Sequence, residues 1–171
     1  MGEIAIRDAT GDDAEAVAAI YGHHVLHGTA SYDLDPPPAE KLCAKIEAVT
    51  AAGWPYLVAE RAGRVVGYAY ATQFRDRDAY RFTGEDSICV HPDWMGQGIG
   101  SALLDLLIER SVAYGFRTLI AVIGGGEPGS VALHARRGFR EVGRLSAVGW
   151  KHKRWLDSVY MQLEMRPAAD Y

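Results

Sequence analysis

Between His91 and Leu104 the sequence reads HPDWMGQGIGSALL, with three glycines alternating across five positions and an apolar helical run starting at once. Glycine costs backbone entropy wherever it sits, so something there needs bare backbone. The first amides of a helix have no internal partner, and the helix dipole makes that end partly positive. Anions bind at such an end. Gly96, Gly98 and Gly100 let the N–H groups approach without a Cβ in the way. The segment therefore predicts a strand, a tight turn and a helix, with a phosphate or pyrophosphate as the ligand. The spacing differs from that of other phosphate loops. A dinucleotide fingerprint wants a glycine where Ser101 stands, and an acidic residue about 20 residues on, where this chain reads IGGG. The Lys-Ser/Thr of a P-loop is missing here and in GGGEPGS downstream. On spacing alone, a structural glycine-rich turn is the competing reading.

The flanking sequence supplies the elements. IAIRDA alternates like a strand from Ile4, and Thr10 with Asp13 resembles a capping box. Ala14, Val17, Ala18, Ile20 and Tyr21 repeat at helical spacing. HGTASYDLDPPPAE is a loop, followed by a helix over Ala39 to Ala52 that Gly53 ends. WPYLVAER and RVVGYAYATQF, joined at Ala62-Gly63, read as a hairpin. RDRDAYRFT is a connection, and EDSICVHP a strand ended by Pro92. The glycine segment opens a helix through Tyr114, and FRTLIAVIG is a strand apolar enough to be buried on both faces. SVALHARRGF is a short helix stopped by Gly138, and REVGRLSAVGW and RWLDSVYMQLEM are strands with KHK between them. The order βα, α, βββ, αβ, α, ββ predicts one α/β domain over 1–171 around a mixed sheet.

Composition excludes other classes. A net charge of -4 argues against a general nucleic-acid binder, and no run reaches the length of a membrane span. The start, MGEIAIRDATGDD, lacks a charged-then-apolar signal peptide. Cys43 and Cys89 are too few for a zinc site, and a cytoplasmic protein keeps them reduced. His23 and His27 are one helical turn apart, yet no third ligand is visible, so no metal is expected. KHKR at 151–154 reads as a solvated turn, and Trp150 with Trp155 as core or interface.

VHPDWMGQGIGSALLDLLI resembles the acetyl-CoA pyrophosphate loop and helix of the GNAT acetyltransferase superfamily. Gly98 and Gly100 meet the pattern Gln/Arg-x-x-Gly-x-Gly/Ala, while Met95 stands at its Gln/Arg position and gives up one side-chain contact. IRDAT, LVAERAGRVVGYAYA, RDRDAYRFTGEDSICV, SVALHARRGF and VGWKHKRWLDSVYMQLE extend the resemblance, over nearly the whole chain, to the phosphinothricin acetyltransferase branch. That branch also acetylates methionine sulfoximine, methionine sulfone and some L-amino acids. The resemblance implies a GNAT acyl-CoA N-acyltransferase fold, a splayed mixed sheet of roughly seven strands flanked by roughly four helices. It implies acetyl-CoA as cosubstrate, a small amino-acid-like amine as acceptor, direct transfer in a ternary complex and a homodimer. The alternatives are another amine, such as a peptide N-terminus, polyamine or aminoglycoside, and a non-catalytic acyl-CoA-binding module.

The resemblance also assigns residues. An attacking amine must lose a proton, and Glu85 in TGEDSICV matches the family's general base. Strand alternation sends Asp86 to the opposite face. The splayed strand frees an amide of Cys89 or Val90 for the oxyanion, beside Ile88. The Cys89 thiol reads as a small core residue, not a nucleophile. Gly96, Gln97, Gly98, Ile99, Gly100 and Ser101 are the expected cofactor-loop contacts. His134 stands where many relatives have Tyr, as an acid for the leaving thiolate or as a packed helix residue. Glu127 occupies a pantetheine-contacting Asn position; an ionised Glu can only accept, so it also reads as a cap for the helix near Pro128. Arg75, Arg77, Tyr80 and Arg81 in RDRDAYRF, with Tyr32, form the expected substrate side, Arg being suited to a carboxylate. Without the resemblance the same stretch is a charged solvated loop.

Overall fold

The structure, a computed structural model, describes residues 3–165. The ends of the expected 1–171 domain, residues 1–2 and 166–171, lie outside the described residues. The elements are β1 (Ala5–Asp8), α1 (Ala14–His27), α2 (Ala39–Ala51), β2 (Tyr56–Arg61), β3 (Arg64–Gln73) and β4 (Thr83–Val90). They continue with α3 (Ile99–Tyr114), β5 (Thr118–Gly124), α4 (Pro128–Ala135), β6 (Arg140–Lys151) and β7 (Arg154–Glu164). This is the order read from the sequence, with short 3-10 turns added before α1, β4 and α3.

Local chemistry explains the boundaries. Asp13 accepts from the Thr10 amide at 2.9 Å, closing the capping box, and Arg7 fixes the same carboxylate with bonds of 2.8 and 2.7 Å. Ala62 and Gly63 both take positive φ, 51° and 72°, the pair of angles a two-residue hairpin turn demands.

The strands form one sheet in the order β1-β2-β3-β4-β5-β7-β6. Among the described residues only β4 and β5 pair in parallel, with α3 as their crossover. Tyr56 and Val58 of β2 point to one face, and Leu57 and Ala59 to the other. All four are buried, because α1 and α2 cover one face and α3 the other. Leu103, Leu104 and Leu107 of α3 are fully buried against Leu57, Ala69 and Leu119. Each such side chain contributes about 1.5–3 kcal/mol relative to exposure.

The β4–β5 ladder stops at Asp86 and Ala121. Beyond that point β3 still follows β4 to Val90, and β7 follows β5 to Gly124. Each strand is held on its outer side and released on its inner side, so a gap opens through the middle of the sheet.

The KHKR stretch is not a solvated turn throughout. Lys151 is buried and donates to the Ser31 carbonyl at 2.7 Å, while His152 Nε2 donates to the Gly28 carbonyl at 3.1 Å. These bonds tie the segment after α1 to the β6–β7 turn. Trp150 and Trp155 are 55% and 63% exposed and form no part of the core.

Candidate active site

A cavity of about 1220 Å³ passes through the gap. On the α1/α2 side its wall includes Tyr21, Asp33, Lys45, Tyr70 and Ser87; on the α3/α4 side, Gly96, Gly98, Gly100, Ser101, Glu127 and His134. Ile88, Cys89 and Val90 lie along its edge.

The α3 end of the cavity is built for an anion. Gly98 caps the helix at φ 83° and brings no side chain to its first amides. The first helical bond runs from Ala102 N to Gly98 O, at 3.0 Å, so the amides of Ile99, Gly100 and Ser101 have no helical partner. A Cβ at Gly96 or Gly98 would meet nothing within 4 Å; the positive φ of 73° and 83°, rather than crowding, demands glycine there. The Ile99 side chain is core, leaving only its amide to the site. Gln97 points away from the cavity and bonds to Arg61 and to the Asp93 carbonyl.

The start of α4 contrasts with that of α3. Glu127 accepts from the amides of Gly129 at 2.9 Å and Ser130 at 2.7 Å, so its carboxylate already fills the anion position there. The cap expected of Glu127 is present, and the cofactor contact would have to compete with it.

Strand β4 supplies the groups at the gap. His91 N donates to Val66 O, and Phe74 N to Thr83 O, which fixes the hydrogen-bonding phase at both ends of β4. Alternation then turns the amides of Glu85, Ser87 and Cys89 toward β3 and those of Asp86, Ile88 and Val90 toward β5. The Cys89 amide is thereby removed as an oxyanion donor, whereas the Ile88 and Val90 amides face the gap. The Val90 carbonyl accepts from His24 Nε2 at 2.8 Å, which holds the strand end in place. The Cys89 thiol packs with the α1/α2 core, and burial pushes its pKa up to about 11, against nucleophilic use.

Glu85 lies on the α1/α2 face, half-buried. Burial raises its pKa above the ordinary Glu value; Arg75, 3.8 Å away, and Lys45 pull it down, and Asp86 pushes it up. A raised pKa makes a carboxylate a better proton acceptor.

Asp86 faces α4, as alternation requires, and meets His134 there. His134 Nε2 lies 2.8 Å from Asp86 Oδ2, and Nδ1 lies 2.7 Å from the Ser130 carbonyl. Both side chains are fully buried. Burial lowers the imidazole pKa, but the Asp86 bond and charge and the Ser130 carbonyl outweigh it, and the net shift is upward. That upward shift, with an acceptor beside each ring nitrogen, favours the protonated ring, which donates to Asp86 and to the Ser130 carbonyl. The ring thus packs as a helix residue bonded to Asp86, and it also lines the cavity in which an acid for the leaving thiolate is expected. Asp86 Oδ1 has no hydrogen-bond partner among the described residues.

The expected substrate side is rearranged. Tyr32 does not line the cavity: its hydroxyl donates to the Asp157 carbonyl at 2.6 Å and accepts from Ser158 Oγ at 3.0 Å, and its ring packs on Gly149. Arg75 stacks over Phe74 beside Glu85, whereas Arg81 folds back on Phe82 and the Asp78 carbonyl. Arg75, Arg77, Tyr80 and Arg81 are all exposed on this connection; neither they nor Glu85 are among the residues of the cavity wall. Sequence reasoning missed Tyr21, which donates to Asp33 at 2.7 Å, and Lys45, which donates to the Tyr70 hydroxyl at 2.6 Å. Only the helical phase of Tyr21 hinted at either. His23 and His27 have ring centroids 4.7 Å apart, but among the described residues no group of three ligands gathers for a metal.

Comparison with known proteins agrees with this geometry. Residues 14–139 match the Acetyltransferase (GNAT) family. A phosphinothricin N-acetyltransferase of Alcaligenes faecalis is 49% identical over 158 residues, 92% of this chain and 80% of its own length. An L-methionine sulfoximine/L-methionine sulfone acetyltransferase of Pseudomonas aeruginosa is 39% identical over 163 residues, 95% of each chain. The crystal structure of a GNAT superfamily phosphinothricin acetyltransferase from Sinorhizobium meliloti, in complex with AcCoA, superposes with a TM-score of 0.92 at 44% identity, covering 98% of this chain and 94% of that one. A parallel pair splayed beyond Asp86, a helix start at Gly98 with no side-chain cap and the extent of these matches lead to one assignment: the chain is an N-acetyltransferase and belongs to the GNAT acetyltransferase family.

Proposed function

We propose that the protein transfers the acetyl group of acetyl-CoA to the α-amine of a small amino acid or analogue of the phosphinothricin or methionine sulfoximine type. The observation that carries this is the cavity through the split sheet, with an anion-binding helix start on one side and Glu85 on the strand that borders the other. Acetyl-CoA supplies the acyl group as a thioester. The amides of Ile99, Gly100 and Ser101 hold its diphosphate. Glu85 takes the proton of the incoming ammonium, directly or through one water. The Val90 or Ile88 amide faces the carbonyl oxygen as negative charge develops on it. The nitrogen–carbon bond forms and the carbon–sulfur bond breaks in one ternary complex; Glu85 holds one of the two protons the nitrogen gives up, and the other is balanced by protonation of the departing CoA thiolate to the thiol. His134, bonded to Asp86 and to the Ser130 carbonyl, holds α4 against β4, and from the cavity wall it is the group that passes a proton to the leaving thiolate. Lys45 in the cavity wall, and Arg75 beside Glu85 outside it, supply positive charge for the carboxylate of an amino acid.

A thiol-release assay tests this reading. Acetyl-CoA is supplied with phosphinothricin, methionine sulfoximine, methionine sulfone and the common amino acids, and with a polyamine and an aminoglycoside as controls. Turnover confined to the amino-acid group is expected. Turnover of the polycations alone would overturn the substrate class, and no thiol release with any amine would overturn the enzyme reading.

The homodimer belongs to the same proposal. Strand β6 is a sheet edge whose Val142, Leu145, Val148 and Trp150 are half-exposed, and the ring of Trp155 in β7 lies tilted against Trp150 with centroids 5.2 Å apart. An apolar edge of this kind invites a second copy. The protein is expected to sediment as two 18.7 kDa chains, and Trp155→Glu as one. A wild-type monomer at micromolar concentration would overturn this. Two free cysteines fit a reducing, cytoplasmic setting.

A further inference from the structure

The loop that presents the glycine amides carries no fixed cation of its own. From His91 to Gly98 it holds no Lys or Arg, and its one carboxylate, Asp93, is mostly exposed. Met95 is 57% exposed and brings only a thioether. The loop's His91 accepts the Asp93 amide on Nδ1 at 3.2 Å.

Positive charge reaches the loop from behind. Arg61, the last residue of β2, is only 7% exposed. Its Nη1 donates to Gln97 Oε1 at 2.8 Å, and its guanidinium stacks over Trp94 at 5.1 Å. Gln97 passes the connection on, its Nε2 donating to the Asp93 carbonyl at 3.3 Å. Arg61 thus grips the loop at two points flanking Gly96, and Gln97 is the residue between Gly96 and Gly98. Those two glycines hold the positive φ angles on which the aim of the amides depends. A guanidinium suits this task because its plane stacks while its fork donates; a lysine can do only part of it. Shielded from water, its charge also acts across a less polar medium than a surface lysine's would.

We infer that Arg61 is a positioning residue for diphosphate binding, making the β2–β3 hairpin part of the cofactor site; this rests on the acyl-CoA reading above. The experiment compares donors with and without the diphosphate. Calorimetry with CoA, which is not turned over, should give a Kd about tenfold higher for Arg61→Met than for wild type, with Arg61→Lys between them. With S-acetylpantetheine, which lacks the diphosphate, kcat/KM of Arg61→Met should stay within about twofold of wild type. Gln97→Ala, which keeps the charge and cuts the bridge, should weaken CoA binding about threefold and carries the test if Arg61→Met does not fold. A folded Arg61→Met that binds CoA within about twofold of wild type would overturn the inference. So would an equal loss with the truncated donor, which marks a general structural defect. Wild-type protein that binds no CoA would instead sink the proposed function.

Discussion

In Glu85→Gln, kcat should fall by about 10²- to 10³-fold while the Kd for CoA stays at the wild-type value. Gln keeps the shape and the hydrogen bonding of the side chain but cannot accept a proton. Glu85 lies on the face of β4 opposite α3, so the amides that take the diphosphate should not feel the change. The pH profile supplies a second reading. Glu85 works when ionised, so kcat/KM should rise with pH through a pKa that burial has lifted above the ordinary carboxylate value. Arg75 pulls that pKa down. Arg75→Gln should therefore move the rising limb to higher pH, and Glu85→Gln should abolish it. An unchanged kcat in Glu85→Gln would transfer the base to another group.

The features legible in the sequence are those set by local chemistry. The glycine run before α3, the Ala62-Gly63 turn and the Thr10–Asp13 box all act within a few residues, and each stands where its spacing puts it. Strand alternation also placed Glu85 and Asp86 on opposite faces. What it could not supply was the element packed against each face. The partner of Asp86 is 48 residues away, and only the docking of α4 brings His134 to it. Tyr32 and Lys151 are polar residues in segments that look solvated, and each is fixed by a bond across 125 and 120 residues respectively. Choosing between the Cys89 and Val90 amides needed the hydrogen-bonding phase of β3 against β4, which no pattern within one strand contains. Arg61 was hidden for the same reason: at a strand end it looks like any surface charge until the hairpin is laid under the loop.

Asp86→Asn should lower the melting temperature by on the order of 10 °C, which is about 3–5 kcal/mol for removing one partner of a buried ion pair in a chain of this size. The substitution keeps the volume and takes away the charge that holds the proton on His134. The sign follows from the pKa. His134 is raised in the folded protein above its unfolded value of about 6.5. The stability contributed by the pair is therefore fully present below about pH 6.5 and is lost as pH rises through the folded pKa. The gap in melting temperature between wild type and Asp86→Asn should thus be widest near about pH 5 and narrow toward about pH 9. A double-mutant cycle with His134→Gln at about pH 5 should return a coupling of about 2 kcal/mol. An equal loss at both pH values would show that the pair is neutral. The proton would then sit on Asp86, whose O–H donates to an unprotonated His134 Nε2, while Nδ1–H still donates to the Ser130 carbonyl.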